Sequence, residues 1–342
     1  MTPVISVVVC SLNGEQGIGR TVRALREQIQ PGVEIVVVDD GSTDDTAAIA
    51  EKEGARVVRH ATNRGLAAAR NTGWRAATSD LVAFTDDDCH PAPDWTACLV
   101  AAARRHPDCA GFGGAVEAAD TSTFVQRYLA RNNPLAPLEL ALLSSDSFGH
   151  RLVQYLLRSG ATDVPTGERR VASVAGAGMA FRRVTLEAAG GFDERFRFGG
   201  EEEDLCRRLV VGEGAGLLFL PQARVLHHFE PGLGDTLRRS RAYGRGNARM
   251  HHKHPGIPAT VYPAPIGVLA LALLLPRLPR TALALAVLAP QLLFSRWARR
   301  AVAERDPALL LYPYLQVMQE GASNLGWWEG HRAGLPEPGE PA

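Results

Sequence analysis

The sequence predicts an α/β protein with a mostly parallel central sheet flanked by helices, followed by a C-terminal apolar helical segment. Strand-like and helix-like stretches alternate four times within about the first ninety residues, and parallel strands need such crossover connections. The strand-like stretches are nearly unbroken apolar, β-branched runs, the pattern of a sheet covered on both faces. Two of these runs end in aspartates, Asp39-Asp40 and Asp86-Asp87-Asp88, which places acidic residues together beyond the carboxyl ends of the strands.

Val4 to Cys10 reads as the first strand. Asn13 and Gly14 turn the chain into a helix with Ile18, Val22, Leu25 and Ile29 on its apolar face, and Pro31-Gly32 stops it. Glu34 to Val38 is the second strand. It runs into Asp39-Asp40-Gly41-Ser42, a turn that starts a helix reaching about Glu53. Arg56 to Arg59 forms a short third strand, Leu66 to Ala77 a helix, and Leu81 to Thr85 a fourth strand. From Asp120 to Arg170 the pattern loosens into scattered prolines and amphipathic stretches, read as a variable insertion. Val171 to Phe181 returns to strand and turn, a helix begins near Glu201, and Leu217 to Leu220 and Arg224 to His227 read as closing strands. Residues 1–230 thus form one catalytic domain, 231–258 a basic, glycine-hinged segment, 259–297 apolar helices, and 298–342 a helix with an irregular tail after Gly334.

Composition narrows the function classes. The 342 residues are 46% hydrophobic and 22% charged, ordinary for a globular chain. Thirty-seven basic residues balance thirty-seven acidic ones, so no whole-chain field draws nucleic acid. Five cysteines, odd in number and without metal-ligand spacing, fit a reducing compartment better than a disulfide framework. Val4 to Cys10 is too short for a signal peptide, so the catalytic part is expected on the cytoplasmic side. Ile266 to Leu275 and Thr281 to Phe294 are almost wholly apolar, yet each is shorter than the roughly 20 residues of a spanning helix. With Arg296, Arg299 and Arg300 beside them, they read either as membrane attachment from the cytoplasmic face, by a short hairpin or an interfacial segment, or as a buried helical hairpin in the soluble fold.

Three acidic clusters can carry chemistry. Asp86, Asp87 and Asp88 repel one another unless a cation sits among them, and carboxylates with substrate phosphates suit magnesium or manganese; the same residues also fit an Asx turn before Pro91. Asp39 and Asp40 can accept from a nucleobase or a ribose hydroxyl, whereas Ser42 to Asp45 are equally explained by helix capping. Glu201-Glu202-Glu203-Asp204 can supply a general base, worth about 10²–10⁴ in rate, or can simply complement a helix dipole. Arg238, Arg239, Arg241 and Arg245 around Tyr243 and two glycines can clamp a diphosphate, or form a solvated or membrane-facing surface. His227 and His228, at a strand end, are candidate metal ligands.

The order of the pieces is more specific than any one of them. Ile5 to Val9 with Asn13, then VVVDDGSTDDT, NRGLAAARNTG, FTDDDC, GAGMAFRR, GGFDERF and GEEEDLCRRL follow in sequence. This resembles the family 2 nucleotide-sugar glycosyltransferases, which have the Rossmann-like GT-A fold, over roughly residues 3–230. The resemblance implies an inverting transfer from a nucleotide-diphosphate sugar to an acceptor hydroxyl, assisted by Mn2+ or Mg2+. The acceptor is expected to be a polysaccharide, a lipid-linked molecule or a small molecule, chosen by the insertion from Asp120 to Arg170; the membrane reading favours a lipid-linked or envelope-bound one, in polysaccharide or glycolipid synthesis. It implies that Asp39 contacts the base with Asn13 nearby, that Arg70 holds the nucleotide, and that Asp86 and Asp88 form the D-x-D pair, Asp86 towards the ribose and Asp88 on the metal. Asp87 and Asp40 are expected to share the donor site. The family's Glu-Asp motif puts its base at Glu202, one methylene longer here, with Glu201 as the substitute. Arg238 to Gly246 lacks the Gln and Trp of the Q-x-x-R-W motif of processive members. The rival readings are a nucleotidyltransferase and a membrane-bound scaffold with an inactive transferase domain. The first wants a Gly-rich phosphate loop that Gly14, Gly17 and Gly19 match poorly.

Overall fold

The computed structural model describes residues 3–143, 145, 147–160, 167–254, 256–257, 259–274, 276–277 and 279–336. The tail from 337, residues 144, 146 and 161–166 of the expected insertion, and Pro255, Pro258, Leu275 and Leu278 lie outside the described residues. The chain divides into two units, one built on residues 3–143 and 167–231, the other on 147–160 and 232–335.

In chain order the elements are β1 (Ile5–Ser11), α1 (Ile18–Arg26), β2 (Val33–Asp39), α2 (Thr46–Lys52), β3 (Arg56–Arg59), α3 (Leu66–Ala76), β4 (Leu81–Asp86), β5 (Cys89–Pro91), α4 (Trp95–Arg105), β6 (Cys109–Ala118) and α5 (Phe124–Arg131). There follow α6 (Phe148–Gly160), β7 (Arg169–Arg170), β8 (Met179–Arg182), α7 (Arg183–Ala188), α8 (Glu201–Arg207), β9 (Gly216–His227), α9 (Leu233–Lys253), α10 (Pro263–Leu274), α11 (Pro279–Leu293), α12 (Ser295–Glu304) and α13 (Tyr312–Ala333). Among the described residues the first unit holds one sheet in the order β3-β2-β1-β4-β8-β6-β9-β5, with β7 beside β9.

The parallel pattern read from the first ninety residues holds for β3-β2-β1-β4. Beyond β4 the sheet becomes mixed: β8 runs antiparallel to both β4 and β6, while β6 and β9 are parallel. All seven residues of β1 are buried. Ile5, Val7 and Val9 face one core with Ile18, Val22, Trp95 and Phe112, and Val8 and Cys10 face the other with Val38, Phe84 and Phe181. That two-residue alternation with apolar neighbours on both sides is why the strand's sequence is apolar throughout. On one side α3 lies so close to β1 that a Cβ at Gly73 would collide with Val8.

The two closing strands expected at 217–220 and 224–227 are one strand, β9, whose register against β6 shifts between Leu220 and Arg224, where Pro221 interrupts the ladder. The expected insertion is divided: residues 120–143 belong with the sheet and α6 belongs to the second unit. There the expected glycine-hinged segment is a continuous 21-residue helix, α9. Its Gly244 lies against the backbone of Ser323 and Trp327 on α13, whose Gly326 and Gly330 lie against Arg241 and Arg245 in return. These glycines serve close helix packing, which accounts for their place inside a helix.

Candidate active site

The site begins with strand register. Ser11 pairs with Asp39 across β1 and β2, and Cys10 with Asp86 across β1 and β4, so the ends of three parallel strands stand level. The strand order reverses at β1, with β2 and β3 on one side and β4 on the other. Ligands of open α/β sheets bind in the crevice at such a reversal.

Asn13 holds the first loop in a left-handed turn, φ 54°. Its Oδ1 accepts from the Thr43 amide at 2.9 Å, and its own amide donates to Ser42 Oγ at 2.8 Å, tying the first loop to the second. Asp39 is buried and accepts from the Ser42 amide through Oδ1 at 2.9 Å. Asp40 turns inward instead. It accepts from the amides of Arg64 (2.9 Å) and Gly65 (2.8 Å) and stands 2.6 Å from His60 Nδ1, pinning the turn that leads into α3. The expectation of Asp40 as a donor contact therefore meets a residue whose oxygens are engaged by the scaffold.

The three consecutive aspartates divide in the same way. Asp87 is turned inward onto the Ser11 hydroxyl, and a Cβ at Gly14 would collide with its carboxylate. Burial, with the charges of Asp88 and Asp86 adding to it, pushes Asp87 up to about 7, so much of its charge is withdrawn near neutrality. The Thr21 hydroxyl secures the backbone below, 2.8 Å from the carbonyl of Asp87 and 2.7 Å from that of Cys89. Gly17 lies against the Asp87 carbonyl. Gly14 and Gly17 thus make room for the aspartate turn, not for a phosphate cradle.

Asp86 and Asp88 are half-buried and face one cluster with Cys89 and His227, whose ligand atoms lie within 4.8 Å of one another. β5 pairs with β9 so that Cys89 stands opposite His227. His227 is buried, stacked on Phe229 at 4.6 Å, with Nε2 3.5 Å from Asp88 Oδ1. Burial, then the charges of Asp86 and Asp88, raise the Cys89 thiol well above its ordinary value, so it stays protonated and donates to Asp88 Oδ1 at 3.7 Å. Two carboxylates and a buried imidazole fit Mn2+ or Mg2+, the neutral thiol less well. His228 stands outside this cluster. Its amide donates to the Asp88 carbonyl at 3.0 Å, and burial together with Arg20, His227 and His90 lowers its pKa.

Arg70 joins the Asp86–Asp88 cluster to the Glu201–Asp204 cluster. Only 3% exposed, it donates through Nη1 to Glu201 Oε1 at 2.6 Å, and Nη2 lies 3.6 Å from Asp86 Oδ1. Its guanidinium sits over Phe192, and a Cβ at Gly176 would collide with it. The arginine expected to hold the nucleotide thus links the D-x-D loop to α8. That helix starts after Gly199 and Gly200, both at positive φ. It is anchored by Asp204, which accepts from Arg208 Nε at 2.9 Å while Arg208 also donates to the carbonyls of Ala189 and Gly191. Glu201 Oε2 and Glu202 Oε2 are both shut off from solvent without a hydrogen bond. Burial, then the Glu201 charge, raises the Glu202 carboxyl well above its ordinary value, with Arg70 opposing. Such a group is a strong, poorly solvated proton acceptor once ionised.

Asn13, Asp39, Arg70, Asp86, Asp88, His227 and Glu201 are therefore tied into one rim by register, hydrogen bonds and ion pairs, and Glu202 follows Glu201 on α8. Arg241 and Arg245 lie on α9 of the second unit, where both pair with Glu329, Arg241 Nε at 2.9 Å and Arg245 Nη1 at 3.2 Å. Ser11, Thr21, His60, Cys89 and Phe192 went unnoticed in the sequence. Of these Cys89 and Phe192 carried a signal, the one by its place directly after the aspartates, the other within GGFDERF.

Residues 6–158 match the family model Glycosyl transferase family 2, and residues 150–298 match Glycosyl transferase family group 2. The pre-mycofactocin glycosyltransferase of Mycobacterium tuberculosis is 33% identical over 257 residues, 73% of this chain but 48% of that protein, so the chain spans about half its length. The glucosyl-dolichyl phosphate glucuronosyltransferase of Haloferax volcanii is 27% identical over 238 residues, 65% of this chain and 68% of that one. Among solved structures, a mannosyltransferase from Pyrobaculum calidifontis in complex with GDP-Man and Mn2+ superposes with TM-score 0.57 at 20% identity, covering 96% of this chain and 88% of that one. GalNAc-T7 with UDP, GalNAc and Mn2+ gives 0.50 at 19% identity, covering 75% of this chain and 52% of that one. At such identities these likenesses speak for the fold.

Proposed function

Because the chain belongs to glycosyl transferase family 2 and has the GT-A fold, we propose that it moves a sugar from a nucleoside-diphosphate donor to an acceptor hydroxyl, with inversion and with Glu202 as the base. The observation that carries this reading is the joined rim: Arg70 is ion-paired at once with Asp86 of the donor loop and Glu201 beside Glu202.

The roles follow from position. Asp39, at the end of β2, accepts from the nucleobase, and Asn13 holds the loop that borders it. Asp86 and Asp88, with His227, would hold a divalent cation that supplies Lewis-acid neutralisation of the diphosphate charge. Arg70 keeps its charge between the donor loop and α8, fixing the distance between leaving group and base. Glu202 takes the proton of the acceptor hydroxyl as its oxygen bonds to the anomeric carbon. The bond from that carbon to the diphosphate breaks, and the electron pair leaves with the phosphate oxygen. Glu201, committed to Arg70 through Oε1, orients the helix and raises the basicity of its neighbour. The dolichyl phosphate glycoside in one relative's name supports a lipid-linked acceptor for this chain.

The donor half is tested by titrating nucleoside-diphosphate sugars into the protein with and without Mn2+. Asp88→Ala is expected to abolish the manganese-dependent part of binding, and His227→Ala to weaken it by about 10–100-fold. Manganese-dependent binding that survives Asp88→Ala unchanged overturns the assignment.

A further inference from the structure

We propose that the second unit docks in the plane of an anionic lipid surface through the outward faces of α6, α10 and α11; this goes beyond the transfer reaction and stands without it. The first observation is apolar exposure. On α6, Val153, Leu156 and Leu157 are exposed together with Phe148. At 100° per residue the first three share one face, while Leu152, Tyr155 and Ser159 turn inward on another. On α10, Ile266 and Leu269 are exposed, and on α11 Leu283, Leu285, Val287, Leu288 and Leu292, the last 76% so. α6 packs against α11 and α12, and α10 against α11, so these faces belong to one body. Isolated exposed leucines need no explanation, but a run of this size on adjoining helices marks an interaction surface.

Charge selects the occupant. The sequences of α6, α10, α11 and the link between the last two contain no aspartate or glutamate. The exposed charges beside the apolar faces are Arg158, Arg277, Arg280 and, on α12, Arg299. Pairing two copies face to face would set these arginines against one another, whereas lipid phosphates complement them.

Geometry selects the mode. No single helix among the described residues is long and apolar enough to cross a membrane; α11 and α12 have the length and composition only together, and they are bent by 71° at their junction. α10 has 12 residues and α11 has 15, giving lengths of about 18 and 22 Å against a hydrocarbon core of about 30 Å. A hairpin standing upright would strand Arg277 and Arg280, at its tip, inside the hydrocarbon. Lying flat, it keeps them at the phosphates and sinks its leucines into the acyl boundary. α6, apolar on one exposed side with Arg151, Gln154 and Arg158 around the other, lies the same way. The sequence reading assigned this stretch to an acceptor insertion; its exposure pattern assigns it to the docking surface.

The test is flotation of the full chain with phosphatidylglycerol-containing and with pure phosphatidylcholine vesicles. Co-flotation with the anionic vesicles, weakened by high salt, is expected. Leu157→Glu with Leu283→Glu and Leu292→Glu is expected to lower the bound fraction by about tenfold or more while leaving nucleotide-sugar binding unchanged. Arg277→Glu with Arg280→Glu should remove the preference for anionic lipid. Three results overturn the proposal: no flotation with either vesicle; cell membranes that keep the chain through alkaline carbonate, as a spanning protein is kept; or a dimer in sedimentation that the leucine substitutions dissolve without any vesicle binding. A chain that fails to float yet transfers sugar to a soluble acceptor refutes the docking alone.

Discussion

Replacing Glu202 by glutamine removes the proposed proton acceptor while keeping the size of the side chain. A positioned general base contributes about 10²–10⁴ in rate, or about 3–5 kcal/mol of barrier. The upper half of that range is expected here, because Glu202 Oε2 is shut off from water and Glu201 lies beside it. The assay is release of nucleoside diphosphate in a single turnover, with water or an added alcohol as acceptor, beside calorimetric donor binding. Binding should persist and release should fall by at least about 10²-fold. The acid limb of the wild-type pH profile should lie above the ordinary carboxyl value of 4.5, since the base works only when ionised. Stability gives an independent readout. A carboxyl raised by the fold favours the folded state when protonated, so its contribution is full below the unfolded value and is lost as pH rises through the folded one. The glutamine variant should therefore match wild type in acid and exceed it at neutral and alkaline pH, by about 1.4 kcal/mol per unit of upward shift. Release within about threefold of wild type, far below the span of a general base, refutes the assignment. A gain in stability without loss of rate would show a strained carboxylate with no part in the chemistry.

Two further outcomes follow. Asp39→Ala should weaken nucleoside-diphosphate binding by about 10–100-fold, the worth of one charged hydrogen bond. Asp40→Ala should instead lower the melting temperature, losing about 1–3 kcal/mol for buried amides left unpaired; equal effects of the two on binding would erase the distinction. Gly326→Ala, whose new Cβ would collide with the Arg241 carbonyl, should destabilise the second unit by about 1–3 kcal/mol in a thermal melt yet spare nucleotide binding; an unchanged melt would count against close packing of α9 on α13.

The parallel half of the sheet was legible because buried strands must be apolar on both faces, which leaves runs such as Val7 to Cys10 and Val36 to Val38. β6 was illegible for a reason equally physical. Its Gly111, Gly113 and Gly114 lie against Phe181, Val174 and the Ala223 carbonyl, so contacts distant in sequence demand small residues and erase any strand pattern. The split of the expected insertion, with α6 leaving for the second unit, likewise depends on contacts far along the chain. Within the site, residue type located the rim but could not orient it. Adjacent aspartates read alike in sequence, yet at the end of β2 and in the turn after β4 the backbone engages one of each pair with the scaffold, Asp40 with the amides of Arg64 and Gly65 and Asp87 with the Ser11 hydroxyl. Arg70 was legible as a site residue, but its two carboxylate partners stand at the end of β4 and the start of α8, and only the fold brings them together.

The inward hold of Asp40 on His60, Arg64 and Gly65 bears on how this catalyst could be retargeted. If Asp39 meets the nucleobase as proposed, randomising codon 39 explores a ligand preference, whereas randomising codon 40 dismantles the turn that its carboxylate holds. On the proposed role of Asp39, a library aimed at a new donor should vary the first and freeze the second, since only the second carries the turn into α3.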